Sequence, residues 1–127
     1  MKYCHYVFKP YKGKRIIKDV LFKIALKNSF LNIAREKNLE TLALSILEDH
    51  IHLLIKQNQA DTSSYVMKVI KGASARSMFK IFSTNRYVYR KLWGRGYYSR
   101  FIEEKDIKTV SEYIRNQINK EGYDKRY

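Results

Sequence analysis

An α+β fold follows from three features of this 127-residue chain. Two short apolar runs, residues 41–47 and 50–56, alternate with period 2 and meet at Glu48-Asp49, as the two strands of a hairpin do. Segments with a 3.6-residue apolar period stand on both sides of that pair. A further helical segment, carrying Tyr113, lies near the end of the chain. This length suits one hydrophobic core, so a single domain over residues 1–127 is expected.

Residues 5–10 open with alternating large side chains and predict a first strand, followed by a basic turn over 11–15. Asp19 is placed to cap a helix whose apolar positions Val20, Ile24, Leu31 and Ala34 run to about Arg35, with Asn38 ending it. In the hairpin, Leu42, Leu44 and Ile46 face the core from one strand, and Ile51, Leu53 and Ile55 from the other. Thr62 or Ser63 starts a second helix with Val66, Ile70 and Met78 inward and Lys68, Lys71, Arg76 and Lys80 around it. Gly72 in its middle argues against an unbroken helix. Residues 85–99 are aromatic, basic and punctuated by glycine, leading into a strand over 96–102. Asp106 caps a last helix to about Lys120, and Gly122 stops it. The order β-α-β-β-α-β plus a helix is the ferredoxin-like split βαβ plan with an added C-terminal helix that carries the tyrosine. In that plan helices cover one sheet face, and the other, where His50 and His52 point, stays open for a ligand or a second subunit.

The charge narrows the partners. Lysine and arginine number 26 against 12 acids, a formal charge of +14, which exceeds what solubility needs and predicts a polyanion. Eleven tyrosines, six phenylalanines and one tryptophan accompany it, and flat rings beside cations suit unpaired bases. No apolar run is long enough to span a bilayer, and residues 1–10 lack the apolar stretch of a signal peptide. A cytoplasmic protein is expected, its polyanion DNA or RNA rather than an anionic membrane surface. Cys4 is the single cysteine, so neither an internal disulfide nor a thiolate zinc cluster can form; it reads as a small strand residue.

The chemistry concentrates in two motifs. In Asp49-His50-Ile51-His52-Leu53 the histidines are two apart on a strand, so both rings project from one face, able to meet on a metal ion. In Tyr113-Ile114-Arg115-Asn116-Gln117 the tyrosine and glutamine are four apart and share one side of a helix. They flank the stripe Ile107, Val110, Ile114 and Ile118, which docks the helix and leaves both side chains at the edge of the core. Two imidazoles and an amide oxygen make an ion site with open positions, a Lewis acid for a phosphoryl oxygen. A phenol is a poor nucleophile until a base or cation favours its deprotonation. His5 reads as a strand residue. Lys68, Lys71, Arg76, Arg90, Lys91, Arg95 and Arg100 are the candidate DNA contacts, the last four interleaved with Tyr87, Tyr89, Trp93, Tyr97 and Tyr98. Trp93 and Gly94 read equally as a packing anchor and a turn.

Together these motifs resemble the HUH single-tyrosine transposases of single-stranded-DNA insertion sequences, including the REP-associated tyrosine transposases. His5-Tyr6-Val7-Phe8-Lys9-Pro10, Lys71-Gly72-Ala73-Ser74-Ala75-Arg76 and Leu92-Trp93-Gly94-Arg95-Gly96-Tyr97-Tyr98 resemble family segments in the same order. The resemblance implies a metal-dependent single-strand DNA transesterase. Tyr113 would be the nucleophile, and His50, His52 and Gln117 would hold a divalent cation, Mg2+ or Mn2+, on the scissile phosphate. Two imidazoles alone favour zinc or another late transition metal; the oxygen-preferring ions come from the resemblance. It also implies a 5′-phosphotyrosine intermediate, hairpin-bearing single strands as substrate and a homodimer that joins sheets. Energy conserved in the tyrosyl link makes ATP unnecessary, and no P-loop is present. Glu48 departs from the proline common in relatives, and the short run after Gln117 puts an extended C-terminal regulatory element in doubt. The alternatives are a domesticated, non-catalytic hairpin or single-strand binder, and a metal-dependent hydrolase using water with Tyr113 idle. The acids show no inward-facing trio near the histidines for a carboxylate two-metal nuclease.

Overall fold

The structure, a computed structural model, describes residues 1–11, 19–82 and 91–124, the stretch 118–124 by its backbone alone. Strand β1 (Lys2–Phe8) leads to helix α1 (Val20–Glu36), the hairpin β2 (Glu40–Ile46) and β3 (Ile51–Gln57), helix α2 (Ser63–Ile81), strand β4 (Tyr98–Ile102) and helix α3 (Ile107–Asp124). The sheet order is β2-β3-β1-β4, and every neighbouring pair is antiparallel. This is the split βαβ arrangement: each helical crossover skips the strand that lies between its two ends.

Alternation along β1 decides the layers. Cys4, Tyr6 and Phe8 point to the side of α1 and α2 and join Ile51, Leu53 and Ile55 in the main core. Cys4 is fully buried there, and burial pushes its thiol pKa up. Phe8, Phe30 and Trp93 pack ring to ring, with centroids 4.9–6.1 Å apart, each ring contributing about 2 kcal/mol by burial. Asp19 caps α1 by accepting from the Leu21 N–H at 2.8 Å, and Thr62 caps α2 by accepting from the Tyr65 N–H at 3.1 Å. Asn38 ends α1 in the left-handed region (φ 57°), which lets the Leu39 N–H reach back to the Ala34 carbonyl at 2.8 Å.

Six expectations are corrected. The buried stripe of α1 is Phe22, Leu26, Phe30, Ile33 and Ala34, while Val20 and Ile24 are exposed, because the larger aromatic volumes take the inward face. Gly72 lies within an uninterrupted α2. Leu42 does not share a face with Leu44 and Ile46: a β-bulge between Thr41 and Ala43 turns it to the opposite side. Asp106 ends a short 3-10 turn that runs straight into α3, and α3 continues past Gly122 to Asp124. The face opposite α1 and α2 is half covered, because the apolar stripe of α3 needs burial. Ile114 is fully buried against Ala43, Leu54 and Ile102, Ser45 Oγ donates to the Ile114 carbonyl, and Arg115 donates to the Leu42 carbonyl at 3.1 Å.

Candidate active site

The Glu48-Asp49 turn is closed by the Leu47 N–H donating to the His50 carbonyl at 2.9 Å. It holds His50 just ahead of β3, with Asp49 Oδ1 2.8 Å from His50 Nδ1. His52 follows on the same face, its ring centroid 5.0 Å from that of His50. Its Nδ1 lies 3.0 Å from Nε2 of His5 on β1, and the two rings lie end to end, 23° from coplanar with centroids 5.3 Å apart. Each member of the His-x-His pair therefore has Nδ1 engaged, and Nε2 is the nitrogen left for a ligand. Burial first, then the neighbouring His50 and His5, push the His52 pKa down to about 4. Burial and then the charge of Arg100 lower that of His5. Near neutral pH both rings are uncharged, the state in which an imidazole binds metal.

Tyr113 stands over this pair. Its ring is 6.1 Å from His52 and 6.3 Å from His5, edge to face in both cases, and half of its surface is exposed. One turn on, Gln117 is half-buried, and its amide nitrogen donates to the Tyr113 carbonyl at 3.3 Å. Among the described residues no hydrogen bond ties Gln117 to either histidine. An open cleft of about 470 Å³ runs from His5, His52 and Tyr113 between α3 and the β1–β4 half of the sheet, past Tyr98 and Arg100. Two imidazoles whose free nitrogens are both Nε2 have the donor chemistry for a divalent cation that keeps open positions. Among the described residues no three His, Cys, Asp or Glu side chains are grouped to hold an ion. A cation here would have His50 and His52 as its nitrogen ligands, with oxygens from elsewhere completing its shell.

The basic candidates separate. Lys68 and Arg76 are exposed on α2, where with Lys37 and Tyr65 they line a depression of about 250 Å³ on the far side of the sheet. Lys71 donates to the Gly94 and Gly96 carbonyls at 2.7 and 3.0 Å, a loop-fixing arrangement. Trp93 is a packing anchor, its Nε1–H donating to Ser74 Oγ at 2.9 Å. Gly94 packs closely there: an added Cβ would stand 3.3 Å from the Pro10 carbonyl oxygen. Lys91, Arg95 and Arg100 are exposed, while Arg90, like Tyr87 and Tyr89, lies outside the described residues. The sequence reading underrated His5, and the signal was the alternation itself: with Cys4, Tyr6 and Phe8 inward, His5 must share the face of His52.

The fold and this histidine–tyrosine arrangement define a single-tyrosine transposase domain, and the family comparison agrees: the family described as "Transposase IS200 like" matches residues 1–117, and the chain belongs to it. Among its relatives is the ISDra2 transposase TnpA of Deinococcus radiodurans, 35% identical over 95 residues, covering 75% of this chain and 64% of that protein. Another is a Haemophilus influenzae protein classed as a REP-associated tyrosine transposase, 34% identical over 92 residues, covering 66% of this chain and 52% of that protein. The matches thus span between about half and two thirds of the relatives' lengths. A Deinococcus radiodurans crystal structure classed as a transposase superposes with TM-score 0.72 at 28% identity, covering 92% of each chain. A REP-associated tyrosine transposase bound to a REP hairpin shares the fold, with TM-score 0.66 at 14% identity over 96% of this chain and 69% of that one. Among the described residues no helix is long and apolar enough to cross a membrane.

Proposed function

We propose that this protein cleaves and rejoins single-stranded DNA through a 5′-phosphotyrosyl intermediate on Tyr113, recognising DNA hairpins and working as a homodimer. The observation that carries this reading is the half-exposed Tyr113 ring, 6.1 Å from a His52 that is paired with His50. Tyr113 Oη attacks phosphorus, the P–O3′ bond breaks, and the phenolic proton ends on the departing 3′-oxygen. The phosphodiester is conserved in the tyrosyl link, so attack by another 3′-hydroxyl restores DNA without a nucleoside triphosphate. His50, His52 and Gln117 would hold a divalent cation, Mg2+ or Mn2+, and such an ion would supply Lewis acidity toward a phosphoryl oxygen. Arg100 and Tyr98 line the approach to Tyr113 and offer a phosphate contact and a stacking surface to the strand. The hairpin in the structurally similar REP-associated transposase supports hairpin DNA as the partner.

The test is incubation with end-labelled single strands carrying hairpins from the flanking genomic sequence, with and without Mg2+ or Mn2+, resolved on denaturing gels before and after protease. A metal-dependent, protease-sensitive adduct is expected. Tyr113→Phe should lower it by at least ~10³-fold while hairpin affinity stays within about threefold. Hairpin binding with no adduct in either metal would leave a non-catalytic binding protein, and a free 5′-phosphate with no protein-linked DNA would leave a hydrolase.

A further inference from the structure

We infer that His5 is a positioning residue: by accepting a hydrogen bond from His52 Nδ1–H it fixes the tautomer in which His52 Nε2 carries the lone pair a metal ion needs. The inference rests on the proposed ion site at His50, His52 and Gln117 and adds a residue to it that is not itself a ligand.

A neutral imidazole has one N–H and one lone pair, and a bond between two rings uses one of each. The 3.0 Å contact between His5 Nε2 and His52 Nδ1 therefore has two forms. If His52 donates, its Nε2 is a lone pair and can ligate. If His5 donates, the His52 proton sits on Nε2 and the ring cannot bind a cation. His50 faces no such choice, because its Nδ1 partner is the carboxylate Asp49 at 2.8 Å, which when ionised only accepts. His52 depends on a partner able to do either, so the chemistry of residue 5 selects its state.

The placement of His5 suits this role. It is 8% exposed and His52 6%, both on the face opposite the main core. In the β1–β3 ladder Val7 stands opposite His52 and Leu54 opposite His5, so the two imidazoles meet on the diagonal between aliphatic neighbours. A buried polar ring at that point has the full cost of desolvation to offset, and the bond to His52 offsets it. The two rings lie end to end and nearly coplanar, 23° between planes with centroids 5.3 Å apart, so the hydrogen bond runs in line with both rings and holds His52 Nε2 aimed away from His5.

The tautomer is readable without DNA or turnover. In ¹⁵N-labelled, metal-free wild-type protein near pH 7.5, long-range ¹H–¹⁵N spectra should show His52 protonated on Nδ1; protonation on Nε2 overturns the inference, and this measurement needs no variant. Mn2+ titration followed by electron paramagnetic resonance then compares two substitutions. His5→Leu, which offers no acceptor, should weaken Mn2+ binding by about 10- to 100-fold. His5→Gln, whose amide oxygen can take the place of Nε2, should recover most of it, and the His52 tautomer should follow the same order. Wild-type Mn2+ affinity and tautomer in a folded His5→Leu protein would also overturn the inference. So would a wild-type protein that binds no Mn2+, which would remove the cation from the proposed function as well. Normal Mn2+ binding without any DNA adduct would sink the catalytic reading alone.

Discussion

At the scale of single residues, three imidazoles sharing one sheet face have a consequence for stability. The ordinary histidine pKa is 6.5, and in the fold that of His52 is pushed down to about 4. Between those values the unfolded chain takes up a proton that the folded chain refuses. Stability is therefore fully present above about pH 6.5 and is lost as pH falls toward about 4. The whole shift corresponds to on the order of 3 kcal/mol, and the lowered pKa of His5 acts in the same direction. Urea unfolding of the metal-free protein at pH 7.5, 6 and 5 should show midpoints that fall with acidification at constant slope. His52→Asn should flatten that trend; a wild-type midpoint independent of pH over this window would show that His52 is not held neutral. His-x-His was visible in the sequence because two strand positions of one parity suffice to specify it. The link from His5 was not, since it needs the β1–β3 register, which brings together side chains 47 residues apart.

At the scale of elements, legibility followed how locally each signal is written. Asp19 and Thr62 caps, the Glu48-Asp49 turn and the apolar face of α2 are set by neighbours within a few residues, and they were readable. The bulge at Leu42 was not, because period-2 alternation continues through it in sequence while the chain inserts one residue against β3. Tyr113 and Gln117 were legible as one side of a helix, but where that helix docks depends on Ala43, Leu54 and Ile102 from three different strands. Strand β4 carries the element-scale prediction. It pairs with β1 alone, and Tyr98 through Phe101 are exposed on both of its faces. A strand with such an edge is a template for another strand, and a second copy of this chain is the partner the proposed homodimer calls for. Sedimentation equilibrium should give a dimer. Phe101→Lys, which places a second ammonium beside Lys2, now 4.8 Å from the Phe101 ring, should weaken it by at least about tenfold without loss of helical signal. A wild-type monomer across a wide concentration range would refute the dimer, and an unaffected Phe101→Lys dimer would move the interface off β4.

For the molecule as a whole, the formal charge of +14 is distributed over both sides of the sheet. Lys68 and Arg76 sit with Lys37 and Tyr65 on the helical side, whereas Arg100 sits with Tyr98 at the mouth of the cleft that leads to Tyr113. A duplex hairpin stem and the single strand beside it are long enough, at one charge per about 1.7 Å of duplex, for one DNA to touch both regions. In that arrangement the two sets of cations would neutralise different phosphates and act independently. Binding of a hairpin with a single-stranded flank should weaken linearly in log–log plots against salt, as counterion release requires. Lys68→Ala and Arg76→Ala should each make the slope shallower by roughly one. Arg100→Ala should do the same for the flanked hairpin but leave the bare hairpin unchanged. Because the two sites share no partners, the free-energy losses of a Lys68/Arg100 double substitution should add to within about 0.5 kcal/mol. Lys71 is the internal control: its ammonium is held by the Gly94 and Gly96 carbonyls, so Lys71→Met should disturb the loop and leave the salt slope near that of the wild type. A slope unchanged by Lys68 and Arg76 would confine DNA to the histidine side, and a steep change from Lys71→Met would return that residue to the phosphate-binding set.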